Sequence, residues 1–296
     1  MEDKNKPPFD ANTMEPLREG VFEIPEQPYH LIKAFNYSNM KILHDLSPRH
    51  LKCKMDGLDM KPITSQLQAR FDFGSAVDLG IFEPERFAAE VVKAPPISKN
   101  SKKYKAWAEV QKDKLILSDT AYQRAHKAVN EVKKKNTAME LLSSGWAQKS
   151  VLWRHPELGF WCKCRPDWII NTSGEPVVMD LKTTENASQE KFTKQTWRLK
   201  YYWQAHHYMA GLTAVTGIQH RKWRWLVLET WPPFESNVFA ADPAELERAS
   251  IDVQIMYEQY AECIETDEWP GYVDEIVDLG FEYEYPEFDP EDEIPF

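Results

Sequence analysis

Apolar residues recur at helical spacing in some stretches of this chain and at strand spacing in others. Residues 1–27 are polar and proline-bearing and predict a flexible lead-in. YSNMKILHDL (37–46) reads as a short helix capped by Ser38 and stopped near Ser47-Pro48. TSQLQARFDFGSAVDLG (64–80) reads as a second helix, and EPERF (83–87) as a turn behind Pro84. The segment 94–118 is Lys-rich, and within it Pro95-Pro96 and Ser98–Ser101 predict a surface loop. Residues 119–143 carry the stripe of one long amphipathic helix that starts at Ser118 or Thr120 and ends near Gly145. The pattern then changes. SVLWR (150–154), FWCKCRPDWII (160–170) and PVVMDLKTT (176–184) read as three strands, joined by hairpin turns at 155–159 and 171–174. A helix over 196–212, a strand over 222–230 and a helix over 243–264 complete the body. Helices, then a β-meander, then helix, strand and helix make a mixed α/β fold.

The charge is unevenly distributed. The chain of 296 residues carries −11, but residues 249–296 hold 16 acids and no Lys or Arg, which leaves +5 on the rest. A mildly basic body suits a phosphate-binding groove. No apolar run approaches the ~20 residues of a membrane span, and the N-terminus lacks a signal-peptide core. A soluble, cytoplasmic protein with no membrane partner is expected. Four cysteines make no disulfide framework. Cys162 and Cys164 alternate on one strand and share a face, which fits strand residues better than zinc ligands.

The candidate chemistry lies in the strands. Asp180 and Lys182 sit at i and i+2 of one strand and project from one face. The turn at 171–174 brings Asp167, preceded by Pro166, back beside them. Two carboxylates are hard oxygen ligands and suit Mg²⁺, with Mn²⁺ as a substitute. Such an ion stabilises charge on phosphoryl oxygens and acidifies water. Lys182 can orient that water or help deprotonate it, and the Leu181 carbonyl is a natural further ligand. Gln204 and Tyr208 lie one helical turn apart beyond this strand. Each feature has a plainer alternative. Asp167 alone reads as a turn residue, and Asp180 with Lys182 as a solvated pair on an edge strand. Gln204 and Tyr208 alone read as helix packing, and Asp78 as a surface residue. The adjacent His206 and His207 point in different directions and read as core or rim. The lysines at 102–105 and 133–135 read as solvated faces, with DNA contact as the second reading.

Five stretches together resemble the RecE-like (exonuclease VIII type) PD-(D/E)XK exonucleases of phage and prophage recombination: YSNMKILHDLSPRHLK (37–52), FGSAVDLGIFEPERF (73–87), LGFWCKCRPDWI (158–169), VVMDLKTT (177–184) and YYWQAHHYMAGL (201–212). The resemblance spans roughly residues 30–230. It implies a PD-(D/E)XK nuclease domain over 28–268, with Asp167, Asp180, Lys182, Gln204 and Tyr208 at the catalytic site. It also implies 5′→3′ degradation of linear double-stranded DNA from its ends to leave 3′ overhangs, an oligomeric ring, and a single-strand annealing protein as partner. Two departures stand out. Asp78 occupies the place of an expected histidine ligand, which implies Asp78 as a metal ligand and an altered metal preference. Gln148-Lys149-Ser150 stands where an acid is expected, with Glu140 the nearest upstream acid. An endonuclease on the same core, or an inactive DNA-binding or recruitment module, are the competing readings. Residues 269–296 read as a disordered acidic tail. Its end, Asp292-Glu293-Ile294-Pro295-Phe296, resembles the acidic tip of bacterial single-stranded DNA-binding proteins. That resemblance implies docking of a repair partner, with autoinhibition and simple solvation as alternatives.

Overall fold

The computed structural model describes residues 6–58, 62–170 and 175–277. The chain begins with β1 (Gly20–Phe22), α1 (Glu26–Leu31), α2 (Tyr37–Asp45), α3 (Pro48–Met55), α4 (Ser65–Phe82), α5 (Pro84–Glu90) and β2 (Val91–Lys93). It continues through α6 (Lys102–Val110), β3 (Leu115–Leu117), α7 (Asp119–Lys133), α8 (Asn136–Leu142), β4 (Gly145–Ala147), β5 (Ser150–Arg154), β6 (Trp161–Cys164) and β7 (Trp168–Ile170). The last elements are β8 (Val177–Thr184), α9 (Gln189–Arg198), α10 (Tyr201–Thr216), β9 (Lys222–Glu229), β10 (Ser236–Ala240) and α11 (Pro243–Thr266). Among the described residues no helix is long and apolar enough to cross a membrane.

The central sheet has the order β10-β9-β8-β7-β4. β8 and β9 run parallel over eight residue pairs, from Val177↔Lys222 to Thr184↔Glu229, while the other pairs are antiparallel. Successive side chains of β8 enter different cores. Val178 packs with Trp203, Trp223 and Val253 on the α10–α11 side, and Met179 with Phe73, Val77 and Val129 on the α4–α7 side. Burial on both faces explains why β8 reads as a continuous apolar run up to Asp180. Asp180 and Lys182 share the parity of Val178 and so face α10. A second sheet, β1-β5-β6, lies across the α10 side, and β2 pairs with β3 in parallel.

Several elements differ from the sequence expectation. The single strand expected over 160–170 is two, because β6 pairs with β5 and β7 with β8 in different sheets. Pro166 at the break has no N–H for a ladder. The long helix expected over 119–143 divides at Lys134-Lys135 into α7 and α8. Residues 83–87 begin a helix, since proline is well suited to a first helical turn. Beyond the loop expected at 95–101, the Lys-rich segment forms α6 and β3. The helix expected from 196 is α9 followed by α10, divided at Lys200 in the left-handed conformation (φ 57°). Asn36, and not Ser38, caps α2. Within the expected lead-in, β1 pairs with β5. The turn at 171–174 lies outside the described residues.

Cys162 and Cys164 are free thiols buried in one core, on the shared face expected of them. Lys163 between them is 3% exposed and donates to the carbonyls of Tyr29, His30 and Ile32 at 2.9, 3.1 and 2.7 Å. These bonds satisfy the C-terminal end of α1 and anchor it to β6. His207, fully buried, bonds Tyr257 Oη and the Lys163 carbonyl, while burial pulls its pKa down to about 3.

Gly211 sets how closely α10 lies against β5, because a Cβ there would meet the Trp153 ring at 2.5 Å. Helix propensity alone favours Gly→Ala by about 1 kcal/mol. Overpacking costs about 1–3 kcal/mol. Gly211→Ala is therefore expected to lower unfolding free energy in urea titration, and a gain would show that α10 is free to shift.

Candidate active site

Asp167 begins where the chain leaves the small sheet for the large one, and its carboxylate turns back onto β8. Its Oδ2 accepts from the Leu181 N–H at 2.8 Å. That bond ties the Pro166-Asp167 corner to the strand that carries Asp180 and Lys182. Asp180 is 2% exposed, and its Oδ2 lies 2.6 Å from Lys182 Nζ in an ion pair without hydrogen-bond geometry. Gln204, on the facing turn of α10, joins the two residues. Its Nε2 donates to Asp180 Oδ1 at 2.7 Å, and its Oε1 accepts from Lys182 Nζ at 2.8 Å. Lys182 Nζ also lies 4.4 Å from the centroid of the Tyr201 ring, a cation–π contact.

Asp167, Asp180, Leu181, Lys182 and Gln204 line one cleft of about 370 Å³, which also reaches Gly74, Asp78, Arg86, Gln148, Arg165 and Tyr208. The α1 residues Glu26, Tyr29 and His30 form another part of its wall. The structure thus brings Asp78, Asp167, Asp180, Leu181, Lys182, Gln204 and Tyr208 together. Glu140 is exposed on α8 and is not part of the lining. Asp292, Glu293, Ile294, Pro295 and Phe296 lie outside the described residues.

The sequence reading did not single out four neighbours. Tyr201 lies against Lys182. Gln148 Nε2 donates to Asp78 Oδ1 at 2.8 Å and, more weakly, to Asp167 Oδ1 at 3.4 Å. Arg165 donates to Gln148 Oε1, the Ile24 carbonyl and Ser150 Oγ. Arg86 is held between Glu83 and Glu90. The one sequence signal at Gln148 was the missing acid in its neighbourhood.

The electrostatics follow from burial and from crowding three carboxyl groups around one cleft. Burial, then the charges of Asp167 and Asp180, push the Asp78 carboxyl well above the ordinary range. Burial and Asp180 raise Asp167 to about 7, against the lowering effects of Lys182, the Leu181 N–H and Gln148. Burial also raises Asp180, with Lys182 opposing. For Lys182 itself burial disfavours the charge, but Asp180 and its other neighbours outweigh that and hold the ammonium above its usual pKa. Lys182 is therefore a fixed cation at neutral pH.

The donor set suits a hard divalent cation. It is all oxygen and carboxyl-rich, and one buried oxygen, Asp180 Oδ2, meets only the Lys182 ammonium, at 2.6 Å. Among the described residues no three His, Cys, Asp or Glu side chains are grouped closely enough to hold a metal ion as they stand. The three carboxyl groups of Asp78, Asp167 and Asp180 line the same cleft. A carboxyl whose folded pKa is raised binds more protons folded than unfolded between about pH 4 and 7, so its contribution to stability falls as pH rises through that window. Without divalent ions, Asp167→Asn is expected to gain stability relative to wild type as pH rises from 4 to 8. Mg²⁺ should restore the wild type selectively. A difference in Tm that stays flat with pH in calorimetry would contradict this electrostatic picture.

Residues 33–278 match the family model described as "PDDEXK-like domain of unknown function (DUF3799)". No curated protein matches the chain. Among solved structures, one described as a "Putative exonuclease" from Eubacterium rectale is similar with a TM-score of 0.60 at 13% identity, covering 84% of this chain and 90% of that one. At that identity the likeness shows a shared fold. SSO0001 (TM-score 0.27, 13% identity, 63% and 85% covered) and VC1899 from Vibrio cholerae (TM-score 0.21, 10% identity, 80% and 60% covered) are too distant in shape to carry an argument. With a family match over most of its length, and with Asp167 just before β7 and Asp180 and Lys182 on β8, the chain belongs to the PDDEXK-like domain family.

Proposed function

We propose that this protein is a Mg²⁺-dependent deoxyribonuclease that hydrolyses phosphodiesters of linear double-stranded DNA from its ends, with Mn²⁺ as a substitute ion. The observation that carries the reading is the Asp180–Gln204–Lys182 bridge, with the Asp167 carboxylate locked to the intervening Leu181 N–H. A divalent cation in this cleft would neutralise charge on the phosphoryl oxygens and acidify water. Asp78, Asp167, Asp180 and the Leu181 carbonyl are the groups to hold it. Lys182 stays charged, so its role is to orient the attacking water and to stabilise negative charge developing on phosphorus. Gln204 fixes the Lys182 ammonium and the Asp180 carboxylate relative to each other. Tyr208, one turn further along α10, closes the wall behind Gln204.

Direction and assembly rest on the resemblance to RecE-like exonucleases: 5′→3′ resection leaving 3′ overhangs, an oligomeric ring and a single-strand annealing partner. The E. rectale protein's description as an exonuclease agrees with the end-dependent reading. The tip Asp292–Phe296 is proposed to dock a repair partner through its terminal apolar side chain and acids. Removing 289–296 should abolish capture of that partner in pull-down and leave the nuclease rate unchanged. A faster nuclease at low salt would instead assign the tail to autoinhibition.

The activity is tested on end-labelled linear duplex and closed circular DNA, in Mg²⁺ and in Mn²⁺. Linear DNA is expected to be degraded with the 5′ label released first, and the circle left intact. Lys182→Ala should cost about 100-fold or more in rate, the scale of losing one stabiliser of transition-state charge. Cleavage of the circle would assign the same site to an endonuclease. Absence of cleavage with either ion would leave a DNA-binding module.

A further inference from the structure

Gln148 is the least expected member of the cleft. It follows β4 and adopts a left-handed backbone, φ 49°, although it is not glycine. A residue with a Cβ gives up about 1 kcal/mol or more in that conformation. Three sets of bonds hold it there. Its N–H donates to the Asp167 carbonyl at 3.1 Å. Its Oε1 accepts from Arg165 Nε at 2.9 Å, and its Nε2 faces the Asp78 and Asp167 carboxylates at 2.8 and 3.4 Å.

The amide has one permissible orientation. Arg165 has only donors, so the carbonyl end of Gln148 must face it and the NH₂ end must face the acids. Arg165 cannot turn away either, because Nη1 is tied to the Ile24 carbonyl at 2.6 Å and to Ser150 Oγ at 3.1 Å. A neutral, doubly donating group is thus wedged between two carboxyl groups. It takes one Oδ1 lone pair of each carboxylate and leaves the others open. The Leu181 N–H holds the second oxygen of Asp167 at 2.8 Å. The amide therefore fixes the spacing of the two carboxylates and the direction of their free lone pairs.

We infer that Gln148 is a positioning residue that spaces Asp78 and Asp167 and thereby sets how tightly the cleft takes a divalent cation. The inference deepens the proposed function and rests on its cation-binding reading. Partners of this kind, bonded to metal ligands, typically change metal affinity by about 10–100-fold when removed. Gln148→Leu keeps much of the bulk and removes both polar ends. Gln148→Glu keeps the Arg165 contact and turns a carboxylate oxygen toward the two acids.

The test uses the full chain, with MnCl₂ titrated calorimetrically and melting followed in EDTA. Gln148→Leu is expected to weaken Mn²⁺ binding by about 10–100-fold. Gln148→Glu is expected to melt lower than wild type in EDTA and to gain more than wild type in Tm on adding Mn²⁺. A purely structural glutamine would lower Tm without moving the Mn²⁺ dissociation constant. Unchanged Mn²⁺ affinity in Gln148→Leu overturns the positioning role while the cation-binding reading stands. If that variant fails to fold, Gln148→Glu decides, because an Mn²⁺-induced Tm gain equal to that of wild type overturns the role. Absence of Mn²⁺ binding by the wild type would sink the cation reading and the inference with it.

Discussion

Asp78, Asp167 and Asp180 share one cleft, and burial raises their pKa values, with repulsion between the carboxylates adding to it at Asp78 and Asp167. The surrounding structure compensates with donors. Lys182 and Gln204 serve Asp180, the Leu181 N–H serves Asp167, and Gln148 serves Asp167 and Asp78 together. Three of these four donors are fixed by a contact of their own. Lys182 lies over Tyr201, Gln148 is locked by Arg165, and the Leu181 N–H belongs to a strand within the sheet. The result is a negative site whose shape persists without relying on mobile side chains. The proposed cation would meet such a site with little reorganisation, which is the condition for electrostatic catalysis.

That rigidity has its source in the sheet. The eight-residue parallel pairing of β8 with β9 holds the backbone of Asp180 and Lys182, and cores on both faces hold the sheet. The α10 helix approaches closely because Gly211 admits the Trp153 ring, which places Gln204 within reach of both residues. On the other face α4 carries Asp78 to the same cleft, and its Gly80 leaves room for Val129 of α7. Lys163 completes the frame by tying the end of α1, and with it the Glu26–His30 wall, to β6. The chemistry of the cleft thus depends on residues that never face it.

Much of this was legible along the chain, and the parts that were not share a cause. Asp180 and Lys182 were readable because strand periodicity is strict, so i and i+2 share a face whatever surrounds them. The spacing of Gln204 and Tyr208 placed them on one side of a helix for the same reason. The division of residues 160–170 between two sheets was hidden, because the apolar pattern is unbroken and only Pro166 marks the corner. Lys163 was hidden as well, since a lysine between two cysteines looks solvent-facing until the carbonyls of α1 supply its partners. Gln148 gave no positive signal: its left-handed backbone is a tertiary choice, imposed by Asp167 and Arg165 from far along the chain. Local periodicity therefore revealed the residues within single elements, and the bonds between elements became visible only in three dimensions.

The central claim is that Asp78, Asp167 and Asp180 converge on one divalent cation beside Lys182. Anomalous diffraction from crystals of the full chain soaked in MnCl₂ tests it most directly. The account predicts a Mn²⁺ peak within bonding distance of the Asp167 and Asp180 carboxylates and the Leu181 carbonyl, with Asp78 on its remaining side. Manganese bound elsewhere on the chain, with this cleft empty at saturating concentration, would contradict it.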